Sequence, residues 1–347
     1  MNSSSPFTRF ANSPAGKVAA LAEVLSVFFA GSIIASFLFQ IAEVKGHPLM
    51  ALLQDAPDLF AISWQLLKVL ALQYVGWFVV VIIIGLLFQR RFIAGLGFTR
   101  NGQSLYWLVA LGIIGWAVGD IPLKVLWLID AQFNIGVSVP WREALIHSEK
   151  TAGWWTLMAV TSFGFVAIIE EVFWRGFVQA RLQKSFSPLV AIVATAAMFT
   201  LSHAQYHQPD WYHLATIVSL FFSSLVFGWL FYKSGSIIPA IVMHSLLNFP
   251  ADGVFTYLAL GLMTCIAAWQ FQVIKQQVNA VQQSFRAMSL HPMDGILVLF
   301  LAISMLSISQ FPMLPLYLHY VTLPVLLVCW CWFLSCYKLR RDVKTTQ

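Results

Sequence analysis

An all-α, polytopic transmembrane helix bundle is the fold class this sequence predicts, and three observations predict it. Hydrophobic residues make up 59% of the 347-residue chain and charged residues only 10%, whereas a soluble domain carries about 25% charged residues. Mean hydropathy is +0.78. Apolar runs long enough to cross a hydrocarbon layer of about 30 Å recur along the whole chain, and a helix there satisfies its own backbone polar groups. So little charge leaves no room for a sizeable soluble domain.

Taken in order, ten such runs are expected. The first, 18–42, is too long for the apolar region of a signal peptide and reads as a retained helix. Spans at 66–88 and 105–129 follow, and then 154–178, which carries a charged cluster. After the turn Ser185-Phe-Ser-Pro188 come 189–205, 212–232 and 236–254. The stretch Pro250-Ala-Asp-Gly253 either kinks the seventh span or separates it from an eighth at 255–271. Spans at 295–310 and 316–337 complete the set. The polar segment Gln272 to Asp294 has a weak amphipathic pattern and reads as a cytoplasmic surface helix.

Lysines and arginines fix the expected orientation. With the N-terminus in the cytoplasm and strict alternation, inside segments hold fourteen of them and outside loops only Lys45, Arg142 and Lys150. Both termini are therefore expected in the cytoplasm of a plasma (inner) membrane protein. Tags at either end should resist external labelling, and a probe at Tyr206–Asp210 should accept it. An externally labelled C-terminus would demand an odd number of spans. The net charge of +6 is this bias, with anionic lipid headgroups as its partner. Nucleic-acid binding is unsupported, because no basic cluster sits on a soluble element. The cysteines make no disulfide or metal pattern: Cys265 stands alone, and Cys329, Cys331 and Cys336 lie in the last apolar span.

The chemistry concentrates in the middle third. Glu170, Glu171 and Arg175 sit inside the apolar run WWTLMAVTSFGFVAIIEEVFWRGFV. One ionisable side chain at the centre of a membrane helix costs about 2.5–3.5 kcal/mol on insertion scales, so three together mark a functional site. Glu171 and Arg175, four apart, share a helical face and can pair, which leaves Glu170 without that partner. Two further polar groups interrupt apolar spans: Phe199-Thr-Leu-Ser-His203, and His244-Ser-Leu-Leu-Asn248, whose His and Asn share one face. At 1.5 Å rise per residue, Glu170 and His203 lie about 20 and 22 Å from the turn joining their helices, and His244 and Asn248 about 12 and 18 Å along theirs. The depths match, so these groups meet in one layer if the helices pack together.

Such a layer has the parts for water attack on an amide. A glutamate beside a histidine deprotonates water, and burial raises the glutamate pKa towards a useful range. A second histidine and an asparagine amide supply hydrogen bonds to a developing oxyanion. Arg175 keeps Glu171 ionised and steadies the helix that carries Glu170. No serine or cysteine with an adjacent base stands out, which disfavours a covalent acyl-enzyme.

Glu-Glu-x-x-x-Arg at 170–175, Phe-x-x-x-His at 199–203 and His-x-x-x-Asn at 244–248, in this order, resemble the motifs of the CPBP intramembrane proteases. That family includes type II CAAX prenyl endopeptidases and bacteriocin-processing and immunity-associated proteins. The run Tyr232 to His244 is similar to the approach to the third motif, and the resemblance covers about 150–255. It implies that Glu170 and His203 activate the water, that His244 and Asn248 form the oxyanion site, and that Glu171 and Arg175 support them. It also implies a core of about eight helices, so the last two spans become an extension. The expected organisation is thus N-terminal helices at 1–150, catalytic helices at 151–255 and a C-terminal extension at 256–347.

The family has been described both as metalloproteases and as glutamate–histidine hydrolases without an obligatory metal. The expected chemistry is metal-independent, with no cofactor required. The alternative is a divalent ion such as zinc, held by Glu170, His203 and His244. His207, four residues after His203, has a spacing that zinc sites use, but it falls in a polar loop and reads as an interfacial histidine. The expected partner is a membrane-associated protein or peptide substrate. Two other classes compete with this reading. A proton- or ion-coupled transporter would relay through the buried carboxylates, but the repeated broken helices of transporters are missing from the sequence. A non-catalytic immunity or scaffold protein on the same fold would not need the intact motif set.

Overall fold

The computed structural model describes residues 13–43, 58–88, 96–136, 148–249 and 292–309, with isolated helical positions between 261 and 283. Among them are eight helices and no strand: α1 Pro14–Ile41, α2 Leu59–Phe88, α3 Leu105–Phe133, α4 Ala152–Leu182, α5 Pro188–Leu201, α6 Trp211–Ser234, α7 Ile238–Asn248 and α8 Pro292–Ser309. Four of them, α1, α2, α4 and α6, contain stretches long and apolar enough to cross a membrane. The protein is an integral membrane protein. The tenth expected span, with three of the cysteines, and most of the eighth lie outside the described residues.

Helix starts follow local capping chemistry. Ser13, Ser104, Thr151, Ser187 and Asp210 each accept a hydrogen bond from a backbone N–H of the first turn, and Pro14 and Pro188 occupy first positions where a missing N–H costs nothing. The Asp210 carboxyl is held below its ordinary range, chiefly by the backbone N–H of His213. A carboxylate with a depressed pKa lends its stability above its unfolded value and loses it as pH falls, so this cap weakens only in acid. At the other end, α6 stops at Gly235 with φ +63°, a left-handed conformation that suits glycine.

Two expected spans are longer than their helices. The fifth was expected to reach 205, yet α5 ends at Leu201 and His203 adopts a non-helical backbone that opens the short turn Ala204–Tyr206. The seventh was expected to reach 254, yet α7 ends at Asn248 because Phe249 is extended (ψ 123°), the conformation imposed on a residue before proline. Glu23, in the N-terminal half of α1, is buried and pairs with Arg181 of α4.

Small residues let helices touch. A Cβ on Gly76 of α2 would meet the Gly31 carbonyl of α1 at 2.4 Å and the Ala35 nitrogen at 2.9 Å, a backbone approach typical of membrane helix pairs. The core lies among α1, α2, α4, α5 and α8. An aromatic chain crosses it: Trp77 stacks on Phe173 at 4.8 Å, Phe173 meets Trp174 edge-on at 4.9 Å, and Trp174 meets Phe199 at 5.8 Å. Helix α8 is part of this core, with Leu301 and Met305 wholly buried and Asp294 paired with Lys17 of α1.

Candidate active site

Helix α4 carries the carboxylates and is not uniform. Its backbone widens to π-helical hydrogen bonding over Val160–Val166 and Val172–Gln179, leaving an α-helical turn, Ala167–Glu171, between them. Such widenings are rare and recur at functional sites. Here they flank Glu170 and Glu171.

Glu171 and Arg175 are both 0% exposed and pair at 2.9 Å between Oε1 and Nη1. Other groups support the buried pair, although Glu171 Oε2 and Arg175 Nε have no hydrogen-bond partner among the described residues. Arg175 Nη2 donates to the Ser224 hydroxyl at 2.6 Å and to the Ser224 carbonyl at 3.2 Å, both on α6. The guanidinium lies between two rings, with Cζ 5.0 Å from the Phe199 centroid and 4.6 Å from that of Phe227. In a desolvated setting each such cation–π contact is worth up to about 2 kcal/mol.

His244 of α7 enters the same network. Its Nδ1 is 2.7 Å from Glu171 Oε1, and its Nε2 is 3.7 Å from Glu170 Oε2. The ring stacks on Phe227 at 5.0 Å. A carboxylate only accepts, so Nδ1 carries the proton in that bond. Glu170 receives a hydrogen bond at its other oxygen, Oε1, from the Tyr74 hydroxyl of α2.

His203 arrives from just beyond the end of α5. Its Nδ1 is 2.7 Å from the Phe199 carbonyl, again an acceptor, so a neutral ring has its lone pair on Nε2. Phe199 lies edge-on to His203 at 4.8 Å and to His244 at 6.0 Å, and so stands between the two histidines. His203 feels the charges of Glu170 and of His244. His207 is half-buried in the following turn, where burial and then the charge of His203 push its imidazole below the ordinary value.

The structure thus joins Glu170, Glu171, Arg175 and His244 by direct contacts and brings His203 against them through Phe199. Asn248 stands apart. It is the last residue of α7, exposed, one turn beyond His244, and no hydrogen bond ties it to the other five among the described residues. Nor do the described residues contain three His, Cys, Asp or Glu side chains grouped to hold a metal ion. Sequence reasoning did not find Tyr74, Ser224 or Phe227. Tyr74 offers a hydroxyl inside an apolar helix, which is a signal, but nothing in its local pattern names Glu170 as the partner.

No curated protein and no solved structure matches the chain. Residues 152–250 match the family described as type II CAAX prenyl endopeptidase Rce1-like. The matched stretch begins at the start of α4 and ends two residues past α7, so it contains every motif residue described above. Residues 152–250 are therefore a domain of the Rce1-like type II CAAX prenyl endopeptidase (CPBP) family, a family of peptidases.

Proposed function

We propose that the protein is an intramembrane endopeptidase that hydrolyses a peptide bond of a membrane-associated protein or peptide with water activated by Glu170 and His203. The observation that carries this reading is the convergence, within apolar surroundings, of buried Glu170 on α4, His244 on α7 and His203 in the turn beyond α5. Glu170 Oε2 takes a proton from water while His203 Nε2 accepts the water's second hydrogen bond and aligns its lone pair. The hydroxide oxygen attacks the scissile carbonyl carbon, and Glu170 returns the proton to the leaving amine as the C–N bond breaks. His244, with Nδ1 committed to Glu171, offers Nε2–H to the oxyanion as the imidazolium, and the Asn248 amide offers a second donor. Arg175 and Glu171 hold His244 in place. No step runs through a metal.

The decisive experiment is cleavage of a membrane-tethered reporter by the purified protein and by Glu170→Ala in the presence of a chelator. Cleavage by the wild type alone supports the reading, whereas equal cleavage by both overturns it. Asn248 is expected to behave as a donor and not as part of the water-activating pair. Asn248→Ala should lower kcat by roughly 10²–10³-fold and leave measurable turnover. An unchanged kcat would remove Asn248 from the oxyanion site.

A further inference from the structure

Tyr74 lies on α2, outside the matched segment 152–250. Its ring is 1% exposed and packed between Trp77 at 5.7 Å and Phe165 of α4 at 5.6 Å. The hydroxyl donates to Glu170 Oε1, and among the described residues it is the sole hydrogen-bond donor to that carboxyl. A buried carboxylate without a donor is costly and free to rotate, whereas one that accepts a bond at one oxygen has its plane fixed. The two oxygens of Glu170 are thereby made unequal: Oε1 is committed to Tyr74, while Oε2 faces His244 Nε2 at 3.7 Å. The backbone that carries Tyr74 is itself fixed. Two residues on, Gly76 lies against the carbonyl of Gly31 so closely that a Cβ would clash at 2.4 Å.

We propose that Tyr74 is the positioning residue of Glu170, holding its carboxyl plane so that Oε2 alone faces the water it activates. This rests on the assignment of Glu170 as base. It also means that residues 152–250 do not contain the complete site: α2 supplies the group that orients the base, and α1 supplies the surface that holds α2 at the required height. Tyr74 touches neither water nor substrate and acts through Glu170. Other charged or titratable groups near Glu170 are His244 on α7, His203 beyond α5, Tyr206 in the turn that follows, and Glu171 and Arg175 on α4 itself. None of these donates a hydrogen bond to it, so none replaces the Tyr74 hydroxyl.

The test compares Tyr74→Phe and Glu170→Gln in steady-state cleavage of a membrane-tethered reporter peptide titrated in mixed micelles. The phenylalanine keeps the ring between Trp77 and Phe165 and removes only the oxygen. The expected result is a fall in kcat of about 10- to 100-fold at unchanged KM, with a thermal midpoint close to wild type. Wild-type kcat in Tyr74→Phe beside an inactive Glu170→Gln overturns the role of Tyr74 and leaves Glu170 as base. Full turnover in Glu170→Gln overturns both. A raised KM at unchanged kcat puts the hydroxyl on the substrate, and a Tyr74→Phe protein that no longer folds gives it a structural role; either overturns the proposal.

Discussion

Glu170→Gln and His203→Ala are each expected to abolish cleavage of a membrane-tethered reporter while the protein still inserts and folds. A general base contributes about 10²–10⁴ to rate, and losing it from a site without a covalent nucleophile leaves no second route. Glutamine keeps the shape of Glu170 and still accepts from Tyr74 at its carbonyl oxygen, so packing between α2 and α4 is kept. His203 sits in a turn beyond α5, and the Phe199 carbonyl that it bonds at 2.7 Å still accepts from the Ser202 hydroxyl at 2.7 Å when the ring is removed. Both losses should therefore fall on kcat, with thermal midpoints near wild type. Full turnover by Glu170→Gln would make the general-base assignment wrong and turn attention to Glu171. That residue is wholly buried, and its Oε1 is shared between Arg175 and His244.

Arg175→Ala is expected to cost stability as well as activity. Removing one member of a buried ion pair leaves an uncompensated charge and costs about 3–5 kcal/mol. The arginine also fills the space between Phe199 and Phe227, the two rings that pack on His244. A marked drop in thermal midpoint in detergent and loss of cleavage should appear together. Glu171→Gln combined with Arg175→Met removes both charges, keeps an apolar stem between the rings and should recover much of the midpoint. Wild-type melting by an inactive Arg175→Ala would place the guanidinium on the substrate and overturn the pairing.

What the chain discloses without a structure is what repeats along it or lies within one helical turn. Apolar runs announce the helices, and Glu171 with Arg175 announces a pair because four residues separate them. Depth along neighbouring helices put Glu170, His203, His244 and Asn248 in one layer only on the condition that the helices pack together, and Asn248 stands apart from the others. Contacts between distant helices leave no such trace. Tyr74 is 96 positions from Glu170, Ser224 is 49 from Arg175, and Glu23 is 158 from Arg181. Each is an ordinary residue until its partner arrives. Helix ends were misjudged for a related reason. Hydropathy stays high through His203 and Phe249, while the backbone there obeys a local turn and a following proline.

The seating of Leu301 and Met305 against α1 and α5 sets the order in which the protein can be made. The Lys17–Asp294 pair joins positions 277 apart in sequence. A ribosome adding about 5–20 residues per second needs several seconds to travel from His203 to Met305. Through that interval α5, the helix that leads into His203, lacks one of its walls. The nascent chain therefore holds its motif residues well before it holds the packing that fixes them.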